Sequence, residues 1–401
     1  MGFLKLKYCV LIIDGAAGLP LPERGGKTCL GLAHTPNLDA MVPEGMLGLV
    51  RTVPLGMEPS SACACMSVLG YDSRLYYKGR AGIEARSMDI PIDDGEVVFR
   101  CNLVAVSDGK MWDYSSGHIS SEEAQQLIGA LNASLGSDQV QFYPGISYRH
   151  ICKIRGRQDT LSATCTPPHD IPGRPIDELM PCGQGSDLLR DLMKRSEAVL
   201  REHPVNIARR SRGDIPATMV WLFWGSGQVP DMPPFQQVYG LKAAMTSGVD
   251  LLRGLARMVG MDILEIPGVT DGPDNDYAAQ AAGALEALEE YDLVVVHIEA
   301  PDEAAHAGSV DDKIEAIQRV DVEVVSRLRS WRPNDLRVLV MPDHPTPIKT
   351  QTHNSDPVPF MLWGVGFQAN GAARFTEDES AKRDLFIDPG YNIMSRLIGR
   401  G

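Results

Sequence analysis

The segment Tyr291–His306, YDLVVVHIEAPDEAAH, guides the interpretation of the rest of the chain. It contains an unbroken apolar, β-branched run, Leu293–Val296, of the length and composition typical of a buried strand. Polar residues follow directly, and Asp302 and His306 share one face if a helix starts near Pro301. A carboxylate and an imidazole one helical turn apart, at the end of a buried strand, are a suitable ligand pair for a divalent metal ion.

Two other apolar runs end in the same way, residues 8–13 and residues 336–341. The carboxyl ends of parallel strands meet at one edge of a sheet, so we expect the side chains that follow the three runs to converge. Any one of them alone is more often a helix cap or a turn residue, but together they are sufficient for two metal ions. These candidate ligands are Asp14, Asp302, His306, Asp343, His344 and His353.

The composition is that of an ordinary globular protein, long enough for two domains. Of the 401 residues, 44% are hydrophobic and 22% are charged, and the formal net charge is −14 at pH 7. This acidic balance argues against nucleic-acid binding, and no apolar run approaches the roughly 18 residues that a membrane span requires. The eight cysteines, without a recognisable secretory signal, predict reduced thiols and a cytoplasmic protein. Nothing in the sequence indicates the oligomeric state.

A second informative segment, residues 58–72, reads EPSSACACMSVLGYD and becomes compatible with a helix after Ser60 and Ser61. A serine at a helix N-terminus lies near free backbone N–H groups and the positive end of the helix dipole. This position suits a hydroxyl that must lose its proton and then accept a phosphoryl group. The alternative is that Ser60 or Ser61 only caps the helix. The nearby Cys63 and Cys65 match no zinc or redox motif and are expected to be buried.

Strand and helix patterns alternate over most of the chain, which predicts an α/β fold with a doubly wound, mostly parallel sheet. Residues 91–174 differ in pattern and predict a smaller α+β domain of the βαββ type, inserted as a cap. The core is then formed by residues 1–90 and 175–401. In its second part we predict helices over 185–202, capped by Ser186, and over 240–259, 276–290 and 310–330, with strands over 217–223 and 262–266.

Together these motifs resemble the alkaline-phosphatase-like superfamily of metal-dependent phosphoryl-transfer enzymes. Within it, the chain resembles the archaeal type of cofactor-independent phosphoglycerate mutases over nearly its full length. The site motifs that carry the resemblance are Asp14-Gly15, Ser61, APDEAAH (300–306), Asp343-His344 and HNSDPVP (353–359). Further motifs are LGYD (69–72), YYKGRAGIEA (76–85), VVFRCN (97–102), WGSG (224–227) and GMDILEIPGVTDGPDNDY (260–277).

The resemblance implies two divalent ions, Mn²⁺, Mg²⁺ or Zn²⁺, bound by separate sets of ligands. The first set is Asp302, His306 and His353, and the second is Asp14, Asp343, His344 and the oxygen of Ser61. Ser61 is then the nucleophile that carries the phosphoryl group while 3-phosphoglycerate and 2-phosphoglycerate interconvert without bisphosphoglycerate. The side chains expected to bind the phosphate and carboxylate of this small phosphorylated acid are Arg80, Arg100, Asn102, Arg149 and Lys242.

Next to Ser61 the sequence departs from the mutase pattern. Ala62 and Cys65 occupy positions where mutases of this type usually have Asp and His. A bacterial sub-branch proposed to act as a homoserine kinase also lacks the His, and shares the MS-x-LGYD pattern found at residues 66–72. The alternatives are therefore phosphoryl transfer to homoserine, or another transferase or phosphatase of the superfamily. A non-catalytic phosphate-binding protein descended from the enzyme is an alternative of a different class.

Overall fold

The computed structural model of the protein describes residues 6–331 and 335–400. The chain forms two compact units. The core unit comprises Met1–Tyr77 and Asp231–Gly401, and the inserted unit comprises Lys78–Pro230. Each unit contains one sheet. Among the described residues, none of the helices combines the length and the apolar character needed to cross a membrane.

The core unit is built on an eight-stranded sheet. Its strands are β1 (Lys7–Ile13), β2 (Met46–Val50), β8 (Ala243–Thr246), β9 (Asp262–Ile263), β10 (Leu293–Ile298), β11 (Leu336–Met341), β12 (Val358–Gly364) and β13 (Phe386–Ile387). They lie in the order β13-β2-β12-β11-β1-β10-β8-β9. The central strand β1 is parallel to β10 and β11, and these three apolar strands are almost wholly buried, as strands covered on both faces should be. The predicted mostly parallel α/β sheet is confirmed.

Helices and short 3₁₀ turns connect these strands. The helices are α1 (Cys29–Leu32), α2 (Pro36–Met41), α3 (Ser61–Val68), α4 (Ser73–Tyr76), α9 (Phe235–Tyr239), α10 (Asp250–Met258), α11 (Tyr277–Ala287), α12 (Ala300–His306), α13 (Val310–Arg319), α14 (Ser326–Ser330), α15 (Glu377–Ala381) and α16 (Asn392–Ile398). The 3₁₀ turns are Pro22–Arg24 and Val42–Glu44. A π-helical segment, Val320–Val325, joins α13 to α14, so the helix predicted over 310–330 is one continuous helical run.

The helix predicted over 240–259 is wrong in its first half. The structure has strand β8 there, followed by helix α10. The strand sequence AAMT consists largely of residues with high helix propensity, but its backbone pairs with β10 on one side and β9 on the other. Tertiary pairing therefore overrides local preference. A further strand, β12, was not predicted, and it runs antiparallel to both β11 and β2.

The inserted unit contains a five-stranded antiparallel sheet. Its strands are β3 (Glu96–Ser107), β4 (Lys110–Asp113), β5 (Val140–Tyr143), β6 (Arg149–Arg155) and β7 (Met219–Ser226). Its helices are α5 (Arg80–Ser87), α6 (Ser121–Leu135), α7 (Ser186–Arg201) and α8 (Pro204–Arg212), with 3₁₀ turns at Gln158–Ser162 and Pro168–Asp170. Strand β3 pairs with β4, β6 and β7, and apolar residues of the sheet pack with those of α6 and α7 in one buried core.

The inserted unit is larger than the predicted domain of residues 91–174. It begins before α5 and ends after β7. Strand β7, predicted over 217–223 as part of the core, pairs with β3, while α7 packs on β7 and α6. Distant parts of the chain thus complete one sheet, and no local pattern reveals such pairing.

The prediction that Ser186 caps helix α7 is wrong. Gly185 holds the cap position with φ 78°, and the Ser186 hydroxyl donates to the Gly183 carbonyl at 2.7 Å.

Candidate metal centre

The polar side chains that follow the three central strands meet at one edge of the core sheet. Asp14 comes directly after β1, and its N–H donates to the carbonyl of Ile298, the last residue of β10. Asp343 and His344 come just after β11, and Asp302 lies in the first turn of α12, after β10. The parallel register brings these residues together at the carboxyl edge, as predicted.

The first cluster consists of Asp302, His306 and His353. The Nε2 atom of His306 lies 3.0 Å from Asp302 Oδ2 and 3.0 Å from His353 Nε2. The His353 Nε2 atom lies 3.4 Å from the same carboxylate oxygen. On the other side of the ring, His306 Nδ1–H donates to the Gln351 carbonyl at 2.8 Å, and this contact directs Nε2 towards the cluster. Two imidazoles and a carboxylate that converge in this way match a divalent-metal site.

The second cluster consists of Asp14, Asp343 and His344, with Ser61 beside it. The His344 Nε2 atom lies 3.2 Å from Asp343 Oδ2 and 3.6 Å from Asp14 Oδ1. The Ser61 Oγ atom is 3.2 Å from the same ring nitrogen. All three ligands are fully buried, and Ser61 is 9% exposed.

Ser61 is the first residue of α3, and it is not the residue that caps the helix. The preceding Ser60 caps α3, because its Oγ accepts the N–H of Cys63 at 3.3 Å. The Ser61 hydroxyl is therefore free of a capping role and faces His344 at the N-terminus of the helix. The predicted burial of Cys63 and Cys65 is confirmed, and the Cys65 thiol lies 3.6 Å from Asp343 Oδ2.

A third cluster contains two residues that sequence reasoning did not assign as ligands. His297 and Glu299 lie together with Asp14, and their ligand atoms are within 4.8 Å of one another. The His297 Nε2 atom lies 2.8 Å from Asp14 Oδ2 and 3.5 Å from Glu299 Oε2. The sequence does contain a signal for these two ligands, because a histidine interrupts an otherwise apolar strand and an acidic residue follows two positions later. Alternate residues of a strand share one face, so the two side chains are expected on the same side.

The site contains more buried carboxylate charge than its described neighbours balance. Burial and the nearby charges of Asp343 and Asp302 raise the pKa of Asp14 well above its usual value. Burial and the charge of Asp14 likewise raise the pKa of Glu299. Among the described residues, Asp14 Oδ1 and Glu299 Oε2 are buried atoms with no hydrogen-bond partner. Unpartnered carboxylate oxygens beside imidazoles fit a divalent cation in chemistry and in charge.

The imidazoles differ in their protonation. Burial lowers the pKa of His344 to about 4, so its ring is neutral at pH 7 and able to bind a metal. Burial also opposes charge on His306, but the hydrogen bond to Asp302 raises the pKa of His306 to about 9. Asp302 responds in the opposite direction: burial favours its protonation, yet hydrogen bonds from His306 and His353 hold its pKa well below the usual range.

Most of the residues predicted to bind substrate lie together in the inserted unit. The Glu84 carboxylate pairs with both Arg80, at 2.9 Å, and Arg100. The Arg100 Nε atom donates to Asn102 Oδ1 at 3.0 Å, and Asn102 pairs with Arg149 across β3 and β6. Burial lowers the pKa of Arg100 despite Glu84, and Arg80 and Arg149 add to this effect. Three guanidinium groups near one carboxylate leave a net positive charge, which is suited to an anion.

Lys242 is the exception among the predicted substrate-binding residues. It precedes Ala243, the first residue of β8, and Ala243 pairs with Leu293, the first residue of β10. Lys242 therefore lies at the amino edge of the core sheet, opposite the clusters. Its exposed Nζ pairs with Glu290 at 2.5 Å and lies over the Tyr291 ring. This places Lys242 outside the candidate site.

Known proteins resemble this chain in sequence over nearly its full length, and others resemble it in fold. The family model of 2,3-bisphosphoglycerate-independent phosphoglycerate mutase matches residues 43–206. A relative of that name from Methanothrix thermoacetophila is 45% identical over 401 residues, which cover 98% of this chain and 100% of the relative. Another from Methanosarcina barkeri is 45% identical over 399 residues, covering 98% of each chain.

Two solved structures extend the comparison. A protein from Pyrococcus horikoshii superposes with a TM-score of 0.82 at 25% identity, covering 100% of this chain and 99% of its own. The cofactor-independent phosphoglycerate mutase of Thermoplasma acidophilum superposes with a TM-score of 0.64 at 23% identity, covering 99% and 100%. The mostly parallel α/β fold and the ligand clusters together define a class of protein with side chains able to hold divalent metal ions at the carboxyl edge of its core sheet. More particularly, since relatives are this similar over their full length, the chain belongs to the family of 2,3-bisphosphoglycerate-independent phosphoglycerate mutases.

Proposed function

We propose that the protein interconverts 3-phosphoglycerate and 2-phosphoglycerate through a phosphoserine on Ser61, without bisphosphoglycerate. The observation that carries this proposal is the position of Ser61, at the N-terminus of α3 and 3.2 Å from His344 in the second cluster. A hydroxyl in this position faces backbone N–H groups that stabilise an oxyanion and, after transfer, phosphoryl oxygens. Family membership supports the choice of substrate.

We assign one divalent ion to the first cluster, and another to the second cluster together with the Ser61 oxygen. The candidate ions are Mn²⁺, Mg²⁺ and Zn²⁺. The ligands are carboxylates and imidazoles, which suit these metals. Ions bound in these clusters would lower the pKa of the serine hydroxyl and offset the charge of the phosphoryl oxygens.

The reaction proceeds in two displacements at phosphorus. The Ser61 hydroxyl gives up its proton and its oxygen attacks phosphorus, the bond from phosphorus to the substrate oxygen breaks, and the released glycerate oxygen takes up a proton. The other hydroxyl of the reoriented glycerate then loses its proton and attacks the phosphoserine, and the Ser61 oxygen leaves and takes up a proton. The first step moves the phosphoryl group from the substrate to Ser61, and the second moves it from Ser61 back to glycerate. No external phosphoryl donor is therefore consumed.

The arginine group of the inserted unit is assigned to the anionic groups of the substrate. Arg80 is partly exposed, and its guanidinium lies over the Trp224 ring at 4.3 Å, which holds the planar group in one orientation. Arg100 is held by Glu84 and Asn102. An arginine fixed in this way binds phosphate or carboxylate with little loss of side-chain entropy. For the whole chain we propose a cytoplasmic location, which its eight free cysteines support.

A substrate comparison on the Mn²⁺-loaded protein tests the proposal. One reaction contains 3-phosphoglycerate and enolase, which reports 2-phosphoglycerate, and the other contains homoserine and ATP. We expect turnover only in the first. Turnover only in the second would overturn the mutase assignment and favour kinase-type transfer, for which Ala62 and Cys65 are the sequence signal.

A further inference from the structure

Lys313 is a wholly buried lysine that the proposed reaction does not use. It lies on α13, the helix that follows α12 in the core unit. A lysine is almost never fully buried unless its amine has partners, because the amine loses its contacts with water. The contacts of the Lys313 amine therefore show what this residue does.

The amine of Lys313 joins two loops of the core unit. Its Nζ donates to the Ala17 carbonyl at 3.1 Å and to the Thr346 carbonyl at 2.8 Å. The two loops also contact each other directly, since the Thr346 N–H donates to the Ala17 carbonyl at 3.0 Å. Ala17 lies in the loop after β1, and Thr346 lies in the loop after β11. Lys313 therefore connects the loops that follow two adjacent parallel strands.

Each of the segments that meet at Lys313 carries ligands of the two clusters. The loop after β1 begins with Asp14, and the loop after β11 contains Asp343 and His344. The helix that precedes α13 is α12, which carries two ligands of the first cluster. We propose that Lys313 is a positioning residue that holds these three segments in the geometry that the two divalent ions require. This inference rests on the proposed function, which places an ion in each cluster.

The contact with Thr346 leads from Lys313 to the ligands themselves. The Thr346 hydroxyl donates to Asp302 and lies 3.2 Å from His344 Nδ1. Lys313 thus binds the main chain of a residue whose side chain contacts a ligand of each cluster. Without the amine, Thr346 loses a main-chain anchor, and the orientation of both ligands depends on that residue.

The loop after β1 has a second anchor beside Lys313. Glu377 accepts the N–H of Gly18 through Oε1 at 3.1 Å and the Thr28 hydroxyl through Oε2 at 2.6 Å. A methyl group on Gly18 would lie 3.6 Å from Lys313 Nζ, so the amine passes close to the main chain of this loop. Lys313 holds a carbonyl group of the loop and Glu377 holds the next N–H group, which fixes the main chain that leads away from Asp14.

The charge of Lys313 and its hydrogen bonds have opposite effects on metal binding. Burial lowers the pKa of Lys313, whereas the nearby charges of Asp302, Glu377 and Asp14 oppose this change and favour the charged amine. A positive charge repels bound cations, so its removal alone would strengthen metal binding. Loss of the two hydrogen bonds frees the loops and would weaken metal binding. The direction of the change in affinity therefore separates positioning from simple repulsion.

The test measures the affinity of the full chain for Mn²⁺ by chelator competition. Lys313→Met removes the hydrogen-bond donor but keeps a long, unbranched side chain. Lys349→Met removes an exposed lysine from the loop after β11 and is the matched control. We expect the affinity to fall about 10-fold in Lys313→Met and to stay unchanged in the control.

A double variant tests whether Lys313 acts through Thr346. Thr346→Val removes the hydroxyl that contacts the ligands, while Lys313→Met removes the anchor of the same residue. Because both changes act through one residue, the double variant should lose little more affinity than the weaker of the two single variants. An independent effect of Lys313 would instead multiply the two losses.

An unchanged or higher affinity in Lys313→Met would overturn the proposal, and so would losses that multiply in the double variant. Lys313→Gln, whose amide group is closer to the main chain than the lysine amine, replaces Lys313→Met if that variant does not fold. Failure of both variants to fold would assign Lys313 to the fold itself and would also overturn the proposal. A wild type that binds fewer than two Mn²⁺ ions per chain would contradict the two-ion centre and this inference with it, so the wild-type count identifies failure of the proposed function.

Discussion

Thr346 shows how a residue that is not itself a ligand holds the candidate metal centre together. Its hydroxyl donates to Asp302 Oδ1 at 2.5 Å and lies 3.2 Å from His344 Nδ1, so it contacts a ligand from each of two clusters. Hydrogen bonds to metal ligands fix their orientation, and their loss typically lowers metal affinity about 10- to 100-fold.

We therefore expect Thr346→Val to weaken Mn²⁺ binding by about this factor while the fold is retained, because valine has nearly the same shape as threonine. Chelator competition measures the affinity. Thr350→Val removes an exposed hydroxyl from the same loop and is the control. Equal affinities of the two variants would show that Thr346 does not orient the ligands.

The buried pair Glu84–Arg100 in the inserted unit makes a second residue-level prediction. Both side chains are less than one-tenth exposed, and Glu84 also pairs with Arg80. Removing one partner leaves an uncompensated buried charge, so Glu84→Gln is expected to lower the free energy of unfolding by about 3–5 kcal/mol. Glu290→Gln breaks the exposed pair with Lys242 and should cost at most about 1 kcal/mol. Urea denaturation measures both, and similar losses would refute the argument.

At the residue scale, the sequence predicted the ligands that follow strands because an abrupt change from apolar to acidic or imidazole residues is visible locally. His297 was missed because it lies inside the apolar run of β10. Lys242 was wrongly included because a basic residue in the sequence does not show at which end of a strand it lies. Both errors concern three-dimensional placement that residue type alone does not encode.

At the scale of secondary structure elements, strand β6 carries a buried titratable group. His150 accepts the N–H of Gly145 through Nδ1 at 3.0 Å, and burial, aided by the charge of Arg100, lowers its pKa to about 3. In the unfolded chain the ring binds a proton below about pH 6.5, but in the folded protein only below about pH 3. Between these values the unfolded state binds more protons, so stability falls as the pH falls.

From pH 7 to pH 5 we expect the wild type to lose about 2 kcal/mol more unfolding free energy than His150→Gln. Urea denaturation at the two pH values gives the comparison. The control is His34→Gln, at an exposed position of the core unit, which should retain the wild-type dependence on pH. A His150→Gln variant with the wild-type slope would show that His150 is not responsible.

The elements that sequence reasoning placed correctly are those with strong local patterns. Helix α6 and strands β1, β10 and β11 have clear periodicity or long apolar runs. The short strand β8 and the antiparallel strand β12 depend on backbone pairing with neighbours that are distant in the chain. Their sequences are compatible with other structures, so only the assembled sheet determines them.

At the scale of the whole molecule, the chain is a core interrupted by a unit with its own sheet and apolar core. A fragment of residues 78–230 should therefore fold alone. The fragment 91–174, which corresponds to the sequence-based boundaries, lacks α5, α7 and β7 and should not fold, because β3 would lose one of its paired neighbours. Dispersion of the amide resonances in NMR spectra distinguishes the two outcomes; two equally well-dispersed fragments would contradict the observed boundary.

The central claim is that Ser61 carries the phosphoryl group during turnover, and mass spectrometry of the acid-quenched enzyme tests it most directly. The Mn²⁺-loaded protein is mixed with 3-phosphoglycerate, quenched and digested, and the peptide that contains Ser60 and Ser61 is analysed. We predict one added phosphoryl group on Ser61 in the wild type and in Ser60→Ala, and none in Ser61→Ala, which should also lose mutase activity. An active Ser61→Ala variant, or a phosphoryl group on Ser60 alone, would contradict the account.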